Sequence, residues 1–412
     1  MRILYINHYA GSPHHGMEFR PYYLAREWVR AGHAVQMLAA SYSHVRSKQP
    51  TANGQPIMAP AVEWIDGIEY RWYPAPTYGG NGVARVRNIW AFLSQLWSQA
   101  KEIAASFRPD IVVASSTYPM DIWVARRIAH LREAKLVFEV HDLWPLSPIE
   151  LGGMSPRHPF IRICQRAENT AYRDADVVVS MLPRVAEHMH SHGLDLKRLH
   201  IIPNGISPDE WSGVGAGLQP EVRRHIEAER AMGRIVVGYA GSHGVPNALD
   251  HLLDAVALMR GDAPSLVLVG DGMEKVRLQK RVAAAGWANV RLFAPIPKAQ
   301  MPAFLSLIDI AYIGWLRSSI YRFGIAPNKL LDYMMAGRAV LHSVEAGNDP
   351  VAESGCGVTV APESPEAIAD GLRRMGALSV AQRREMGERG RAFVMAHHTY
   401  PVLARRFLGA CA

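Results

Sequence analysis

A glycine, a proline, a lysine and an aspartate stand close together between two predicted strands of the C-terminal half. Gly324 permits close approach of the backbone to a ligand, and Pro327 suits the first turn of a helix, where its missing N–H costs nothing. The free N–H groups of such a helix bind anions, and Lys329 on its first turn adds a full charge. Asp332, one turn beyond Asn328, can accept two hydrogen bonds from a vicinal diol such as a ribose. The spacing predicts a site for a diphosphate joined to a ribose; the alternative is an ordinary capped helix whose Lys329 and Asp332 are solvated or paired with each other.

Two loops of the N-terminal half also follow predicted strands and carry polar side chains. The loop from Gly11 to Gly16 joins a strand to a helix, and such a loop can approach phosphates or clamp an acceptor. Its alternative interpretation is a mobile surface turn. His141 and Asp142 come directly after a strand, where either side chain can bond a sugar or an acceptor hydroxyl. Asp142 fits equally well as the N-cap of the following turn.

Other motifs argue against metal, nicotinamide and ATP sites. Asp174 and Asp176 have the spacing of a metal-binding DxD, but they lead into a strand after a charged helix, where such residues commonly cap a turn. The GDG at Gly270–Gly272 lacks the third glycine and the downstream acid of a nicotinamide-binding fingerprint. The chain has no GxxxxGK[ST] motif. We therefore expect no metal and no cofactor, with a sugar diphosphate as the nucleotide ligand.

The composition is that of a folded, soluble protein, with 49% hydrophobic and 20% charged residues among 412. The apolar runs stop well short of a membrane span and no signal peptide opens the sequence, so we expect a cytoplasmic protein. Cys164, Cys356 and Cys411 are far apart and predict reduced thiols without a ligand role. The net charge of +8 indicates an anionic partner, which could be nucleic acid, a phosphorylated small molecule or an acidic membrane surface.

The elements around these residues alternate in type along both halves. Short β-branched runs separated by amphipathic segments predict two Rossmann-like, mostly parallel α/β domains with a cleft between them. The predicted strands are 3–6, 35–39, 111–114, 136–140 and 177–180 in the first half, and 235–240, 266–269, 290–293, 310–313, 339–342 and 358–360 in the second. The domain boundaries that we expect are 1–203, a loose linker at 204–234, 235–390, and a helical tail at 391–412 that packs back.

One amphipathic helix, at residues 85–104, contains two tryptophans. Its apolar residues recur at helical spacing, which favours packing on the N-terminal sheet. Trp90 and Trp97, together with Arg85 and Arg87, also fit a helix that docks on lipid headgroups. Both interpretations remain open at this stage.

The segment FGIAPNKLLDYMMAGRAVL, which begins at Phe323, resembles the donor-binding segment of retaining glycosyltransferases of the glycosyl transferases group 1 type, which have the GT-B fold. HIIPNGI from His200 is similar to the family's domain junction, and YAGSHG from Tyr239 and LVLVGDGMEK from Leu266 resemble its next two strand-loop segments. HDLWPLSP from His141 resembles a bacterial subgroup that includes fucosamine transferases of surface-polysaccharide synthesis.

This resemblance assigns roles to the site residues. Backbone groups of Phe323, Gly324 and Ile325 would hold donor hydroxyls, and Asp332 would hold the ribose. The loop at Ile296 resembles the place where the base edge is read. The other donor-binding positions that we predict are Gly241, Ser242, Gly270 and Asn328 in the segments that resemble the family, and Gly16 from the position of its loop after a strand.

The sequence departs from the family in one pair of residues. The family has two glutamates eight positions apart, which would fall on Gly324 and Asp332 in this sequence, so the first acid is missing. The family's basic residues after the first C-terminal strand are also absent, which leaves Lys329 and Arg322 to carry charge for the diphosphate. His141 and Asp142 complete the predicted catalytic set.

The resemblance implies transfer of a sugar from a UDP-sugar to a lipid-linked or saccharide acceptor, with retention and without nucleic acid as a partner. Peripheral contact with the inner face of the membrane would run through helix 85–104. Two rivals stay open: a nucleotide-sugar epimerase of GT-B-like fold, and a non-catalytic nucleotide-sugar-binding protein.

Overall fold

The computed structural model describes residues 1–80, 82–211 and 217–412, which fold as two compact units. The N-terminal unit consists of Met1–Asn204 together with Tyr400–Ala412, and the C-terminal unit consists of Gly205–Thr399. Residues 212–216 of the predicted linker lie outside the described residues. The rest of that linker is less loose than expected, because Pro220 begins a helix in the first-turn position that proline tolerates.

The N-terminal unit is built around an eight-stranded sheet. The strands of this unit, including a separate pair β3 and β4, are β1 (Arg2–Ile6), β2 (Ala34–Ala40), β3 (Thr51–Ala52), β4 (Gln55–Pro56), β5 (Ala61–Ile65), β6 (Ile68–Tyr73), β7 (Ile111–Ala114), β8 (Lys135–Val140), β9 (Val177–Ser180) and β10 (Leu199–Ile201). Its first six helices are α1 (Arg20–Arg30), α2 (Val83–Phe107), α3 (Asp121–Arg132), α4 (Leu146–Glu150), α5 (Pro159–Asp174) and α6 (Ala186–Ser191). The sheet order is β10-β9-β8-β7-β1-β2-β6-β5, and β3 and β4 form a separate pair. Neighbouring strands of the large sheet are parallel, except that β5 runs antiparallel to β6.

The C-terminal unit contains a six-stranded parallel sheet. Its strands are β11 (Val236–Ala240), β12 (Ser265–Val269), β13 (Val290–Phe293), β14 (Ile310–Gly314), β15 (Ala339–Ser343) and β16 (Gly357–Thr359). Its helices are α7 (Pro220–Ala231), α8 (Leu249–Met259), α9 (Lys275–Ala285), α10 (Met301–Leu307), α11 (Asn328–Met335), α12 (Pro350–Ser354), α13 (Pro365–Gly376) and α14 (Val380–His397). The order β13-β12-β11-β14-β15-β16 reverses direction between β11 and β14, and open α/β sheets bind ligands beyond the carboxyl ends of the strands at such a point.

The central strands of the C-terminal sheet are buried along their whole length, as helices on both faces require. Continuous apolar runs therefore predicted them correctly. The two-domain α/β prediction is confirmed for both units.

The last helix, α15 (Tyr400–Ala410), belongs to the N-terminal unit. Tyr400 stacks on Tyr23 of α1 with ring centroids 4.7 Å apart, and Trp28 donates to the Ala404 carbonyl at 3.2 Å. Phe407 is fully buried against the Trp28 ring. The predicted helical tail thus packs back, but residue 391, its expected start, lies inside α14, and the chain passes from one unit to the other at residue 400.

None of the helices in the described ranges is long and apolar enough to cross a membrane. The three cysteines are buried free thiols.

Candidate functional site

The centre of the candidate site in the C-terminal unit is the Lys329 amino group. Lys329 lies on the first turn of α11, and its Nζ donates to the Asn247 Oδ1 at 2.6 Å and to the Tyr239 hydroxyl at 3.1 Å. The same Nζ lies 4.7 Å from the Tyr239 ring centroid. Burial lowers the pKa of Lys329 to about 8. Lys329 is therefore neither solvated nor paired with Asp332, and its amino group is directed to the loop after β11.

Two loops that begin with glycine meet beside this lysine. The loop after β11 begins at Gly241 and the loop after β12 at Gly270, and the Gly241 N–H donates to the Val269 carbonyl at 3.0 Å. A Cβ at Gly270 would overlap with the Gly241 carbonyl oxygen, so only glycine allows the two backbones to come this close. The arrangement leaves a main-chain surface next to the Lys329 cation, at the reversal point of the sheet.

His243 also lies in this region, and it was not among the predicted site residues. Its ring is fully buried between the two glycine loops, and neither ring nitrogen has a hydrogen-bond partner among the described residues. Burial, reinforced by Lys275 and Lys329, lowers the pKa of His243 to about 4, so the imidazole is neutral near pH 7. The cationic side chains beside the two loops are therefore those of Lys275 and Lys329. The YAGSHG segment showed the residue, but nothing in its spacing indicated that the ring would be enclosed.

Asp332 lies half-buried on α11 and faces another loop. Burial raises its pKa to about 7, while nearby Lys298 opposes this rise and Glu210 adds to it. Lys298 and Glu210 form an ion pair of 2.7 Å. Lys298 comes directly after the segment around Ile296, so Asp332 lies close to the loop where the base edge was expected, and Ile296 itself is partly buried against the apolar core. Asp332 and Lys329 consequently face two different loops from one helix.

The turn before α11 bears on one predicted role. The Ile325 N–H donates to the Asn348 Oδ1 at 2.7 Å, and the Asn348 amide donates back to the Ile325 carbonyl at 3.2 Å. The Gly324 N–H donates to the Tyr321 carbonyl at 2.9 Å. The N–H groups of Gly324 and Ile325 are thus bonded within the protein in this structure, and their contact with donor hydroxyls stays a prediction.

The backbone conformation at position 324 explains why a glycine stands there and not the family's glutamate. Gly324 adopts φ 100° and ψ 177°, a region essentially restricted to glycine. A glutamate at this position would strain the turn. Pro327 precedes the first residue of α11 as its N-cap and is not in the first turn, a difference of one residue from the prediction.

Arg322 is placed differently from Lys329. Its side chain is exposed, its guanidinium donates to the Ser319 carbonyl at 2.6 Å, and it lies 4.3 Å from the Phe323 ring centroid. The Arg322 side chain therefore stabilises the turn that contains it, and the structure does not bring it to the Lys329 amino group. Asn328 is exposed at the beginning of α11, and Ser242 is exposed in the loop after β11.

In the N-terminal unit, His141 lies at the carboxyl end of β8 within a polar network. Its Nε2 is 2.8 Å from the Ser115 Oγ and 3.2 Å from the Glu139 Oε2. Ser115 also donates to Glu139, at 2.6 Å. Since a carboxylate only accepts, the contacts place a proton on Nε2, and in the neutral ring Nδ1 is then the acceptor nitrogen. The Nδ1 lies 4.0 Å from the Glu18 carboxylate.

Glu139 anchors this network and was not predicted. It is fully buried, and its carboxylate accepts from the Arg20 guanidinium at 2.9 Å. Burial alone would raise the pKa of Glu139, but Arg20 and His141 together hold it well below its usual range. Arg20 also donates to the carbonyls of Ile202 and Pro203. The charged pair stood inside apparently ordinary strand and helix sequence, so no spacing pattern identified it.

Asp142 takes the role that the sequence left as an alternative. Its Oδ1 accepts from the Leu143 N–H at 2.9 Å and from the Ser147 hydroxyl at 2.5 Å, so it caps the turn that leads into α4. It also lines a cavity of about 720 Å³ in the same unit, with Arg85, Trp144 and His158. The rest of the lining is mostly apolar and includes Val83, Val86, Ile89, Pro148, Leu151, Met154 and Phe160.

Two other predicted features are ordinary structural elements. Gly16, at φ 91°, closes a small turn by hydrogen bonding with Ser12. Asp174 pairs with Arg126 and Arg173, and Asp176 accepts from the Leu136 N–H at 2.8 Å, so both carboxylates of the DxD are used by protein groups.

Comparisons with known proteins agree along the chain. Residues 15–205 match the model of the glycosyl transferase 4-like domain, and residues 234–377 match that of glycosyl transferases group 1. The putative colanic acid biosynthesis glycosyl transferase WcaI of Escherichia coli is 23% identical over 260 residues, which span 60% of this chain and 62% of that protein. The matched region thus covers less than two thirds of this curated relative.

Solved structures share the fold over almost the full length. Sucrose-phosphate synthase from Thermosynechococcus elongatus superposes with a TM-score of 0.69 at 16% identity and covers 100% of both chains. The Anabaena protein HepE, solved in complex with UDP, gives a TM-score of 0.66 at 14% identity, covering 100% of this chain and 99% of the other.

Proposed function

Because the chain belongs to the group 1 glycosyltransferases, with a glycosyl transferase 4-like domain before the group 1 domain, we propose that it transfers a sugar from a UDP-sugar to a hydroxyl of a lipid-linked or saccharide acceptor. We place the reaction in cell-surface polysaccharide synthesis, with retention at the anomeric carbon. The relative named for colanic acid biosynthesis and the neighbour solved with UDP support the pathway class and the nucleotide.

The observation that carries this proposal is the buried Lys329 amino group beside the glycine loops at the reversal point of the C-terminal sheet. A buried cation pays a desolvation cost, which is why its pKa is lowered. A diphosphate bound against the loop restores the favourable environment of the charge. The lysine and the main-chain groups of the loop are fixed in place, so they can stabilise the charge that grows on a leaving diphosphate.

The proposed step breaks the bond between the anomeric carbon and the β-phosphate oxygen and forms a bond from that carbon to the acceptor oxygen. The acceptor proton passes to the departing phosphate, so UDP leaves as the second product. Attack occurs on the face from which UDP departs, which retains the configuration. The acceptor itself supplies the nucleophile, so no enzyme carboxylate forms a covalent intermediate in this scheme.

Asp332 fits the ribose end of the donor. Its carboxylate faces Lys298, next to the loop at Ile296, whereas Lys329 faces the loop at Gly241. A nucleotide spans a diphosphate, a ribose and a base in that order. With Lys329 at the diphosphate and Asp332 at the ribose, the base falls by the loop at Ile296.

The N-terminal unit offers a place for an acceptor with an apolar part. The cavity of about 720 Å³ has an apolar lining and a few polar groups, Arg85, Asp142 and His158, as small-molecule sites commonly do. A lipid-linked acceptor supplies both a long apolar chain and charged or hydroxyl groups. His141 is proposed to bond a hydroxyl through Nδ1, with Glu139 and Ser115 as positioning residues.

Helix α2 supplies a route to a membrane surface. Its residues Val83, Val86 and Ile89 line the cavity. Trp90 and Trp97, which helical spacing places on the same side of α2 as Val83 and Val86, are 39% and 46% exposed. Arg127 lies over the Trp97 ring at 4.5 Å. Tryptophan and arginine together favour the headgroup region of a bilayer, so we propose peripheral contact through this face.

The test is thermal stabilisation by UDP in the presence of a chelator. UDP is expected to raise the Tm of the parent protein, because a ligand of the folded state stabilises it by mass action. Lys329→Met, which keeps the length of the side chain, should lose most of this shift, whereas Lys280→Met removes the same charge from an exposed site and should keep it. An equal UDP shift in both variants, or an absolute requirement for Mn²⁺, would contradict the proposed donor site.

A further inference from the structure

A glutamate and two histidines of the N-terminal unit converge away from the residues discussed above. Glu168 on α5 is 1% exposed, and His188 on α6 and His192 just after that helix are half-buried. One potential ligand atom from each of the three lies within 4.8 Å of the other two. The two histidines are four positions apart, so they share one helical face.

The distance between Glu168 and His188 suits a shared ion better than a direct hydrogen bond. The His188 Nε2 is 3.4 Å from the Glu168 Oε1, beyond the 2.7–3.2 Å typical of N–H···O bonds. Two ligands of a tetrahedral Zn²⁺, each at 2.0–2.2 Å from the ion, are about 3.3 Å apart. The third ligand atom lies within 4.8 Å of both, so the three atoms must come closer together when an ion binds.

The groups behind His192 and Glu168 orient these two side chains as metal ligands are usually oriented. The His192 Nδ1 is 2.8 Å from the His188 carbonyl, which can only accept, so Nδ1 carries the proton and Nε2 presents its lone pair. Tyr172 donates to the Glu168 Oε1 at 2.9 Å and Gln165 donates to the Oε2 at 2.7 Å. Both oxygens of the carboxylate are thereby fixed in position.

The geometry points to a site for a divalent transition metal ion of the Zn²⁺ type, bound by Glu168, His188 and His192 with water in the fourth position. Imidazole and carboxylate are the ligands of known His₂Glu zinc sites. The ion joins α5 to α6, so its role is to hold the segment after β9 in place. This role is independent of the proposed transfer, whose donor groups belong to the C-terminal unit.

The experiment is metal binding to the untagged, chelator-treated full chain. Equilibrium dialysis against Zn²⁺ followed by elemental analysis should give one tightly bound ion per chain, and Co²⁺ in its place should show the visible absorption of tetrahedral nitrogen and oxygen coordination. The double variant H188A/H192A should lose both signals. His190→Ala is the matched control, because His190 is exposed on the same helix and its Nδ1 contacts the Leu194 carbonyl.

Tyr172→Phe provides a second measurement that does not remove a ligand. It deletes only the hydroxyl behind Glu168, and loss of such a hydrogen bond should weaken Zn²⁺ binding about 10–100-fold. Chelation should lower the Tm of the parent and of His190→Ala but leave that of H188A/H192A unchanged. Absence of Zn²⁺ binding by the parent, or the same stoichiometry and absorption in H188A/H192A, would overturn the proposal.

Discussion

At the scale of single residues, the pKa values of Asp332 and Lys329 on α11 are shifted toward neutral pH from opposite directions. Burial raises the pKa of Asp332 to about 7 and lowers that of Lys329 to about 8. Asp332 accepts ribose hydroxyls best as a carboxylate, which forms as the pH rises through about 7. Lys329 attracts a diphosphate only while charged, and this charge is lost above about pH 8.

We therefore expect the affinity for UDP to be greatest between these two pKa values. Isothermal titration calorimetry across this range should show weaker binding on both sides of the maximum. Asp332→Asn should remove the acidic limb and Lys329→Met the basic limb. The affinity for uridine, which lacks the diphosphate, should change with pH only on the acidic side, where Asp332 titrates. A UDP affinity of the parent that does not change with pH, or a decrease on both sides of the maximum in both variants, would refute the assignment.

The types of the donor residues could be predicted from the sequence, but most of their partners could not. A lysine and an aspartate at the beginning of a helix between two strands were sufficient to select α11. That Lys329 would bond Asn247, or that Asn348 would occupy both main-chain groups of Ile325, depends on loops that meet only in the folded unit. Glu139 and Arg20 escaped prediction for the same reason, since 119 positions separate them.

At the scale of elements, the buried parallel strands were the most predictable part of the fold. All eleven predicted strands are present, because a continuous apolar run is what a strand covered on both faces requires. The hairpin of β5 and β6 was missed. Its Asp66-Gly67 turn, with positive φ at both residues, is the typical two-residue hairpin signal, and the flanking residues alternate in burial.

The helix α15 makes a prediction at this scale. Phe407 is fully buried against Trp28, so Phe407→Ala leaves a cavity between α15 and α1. We expect the N-terminal unit to lose about 3–5 kcal/mol of unfolding free energy, measured by urea denaturation followed through tryptophan fluorescence. Arg405→Ala, at an exposed position of the same helix, should change it by no more than about 0.5 kcal/mol. Similar effects of the two substitutions would show that the helix is not part of this core.

At the scale of the whole molecule, the net charge of +8 and the exposed tryptophans of α2 bear on membrane contact. We expect the protein to bind vesicles containing anionic lipid and to be released at about 1 M salt, where the screening length falls to ~3 Å. The double variant W90A/W97A should bind more weakly in vesicle sedimentation. Trp64→Ala is the control, because Trp64 is 67% exposed on β5 of the same unit. The proposed contact fails if the parent does not bind, if salt does not release it, or if W64A matches W90A/W97A.

The position of α15 also determines the order in which the two units can be completed during synthesis. The N-terminal unit contains Met1–Asn204, yet part of its core comes from Tyr400–Ala412, which are synthesised after the whole of the C-terminal unit. The C-terminal unit, whose residues are contiguous, has its whole sequence available earlier. The N-terminal unit must therefore wait for residues 400–412 with the Trp28 face of α1 uncovered, and a nonsense mutation shortly before codon 400 would damage the unit that precedes the C-terminal unit in the sequence.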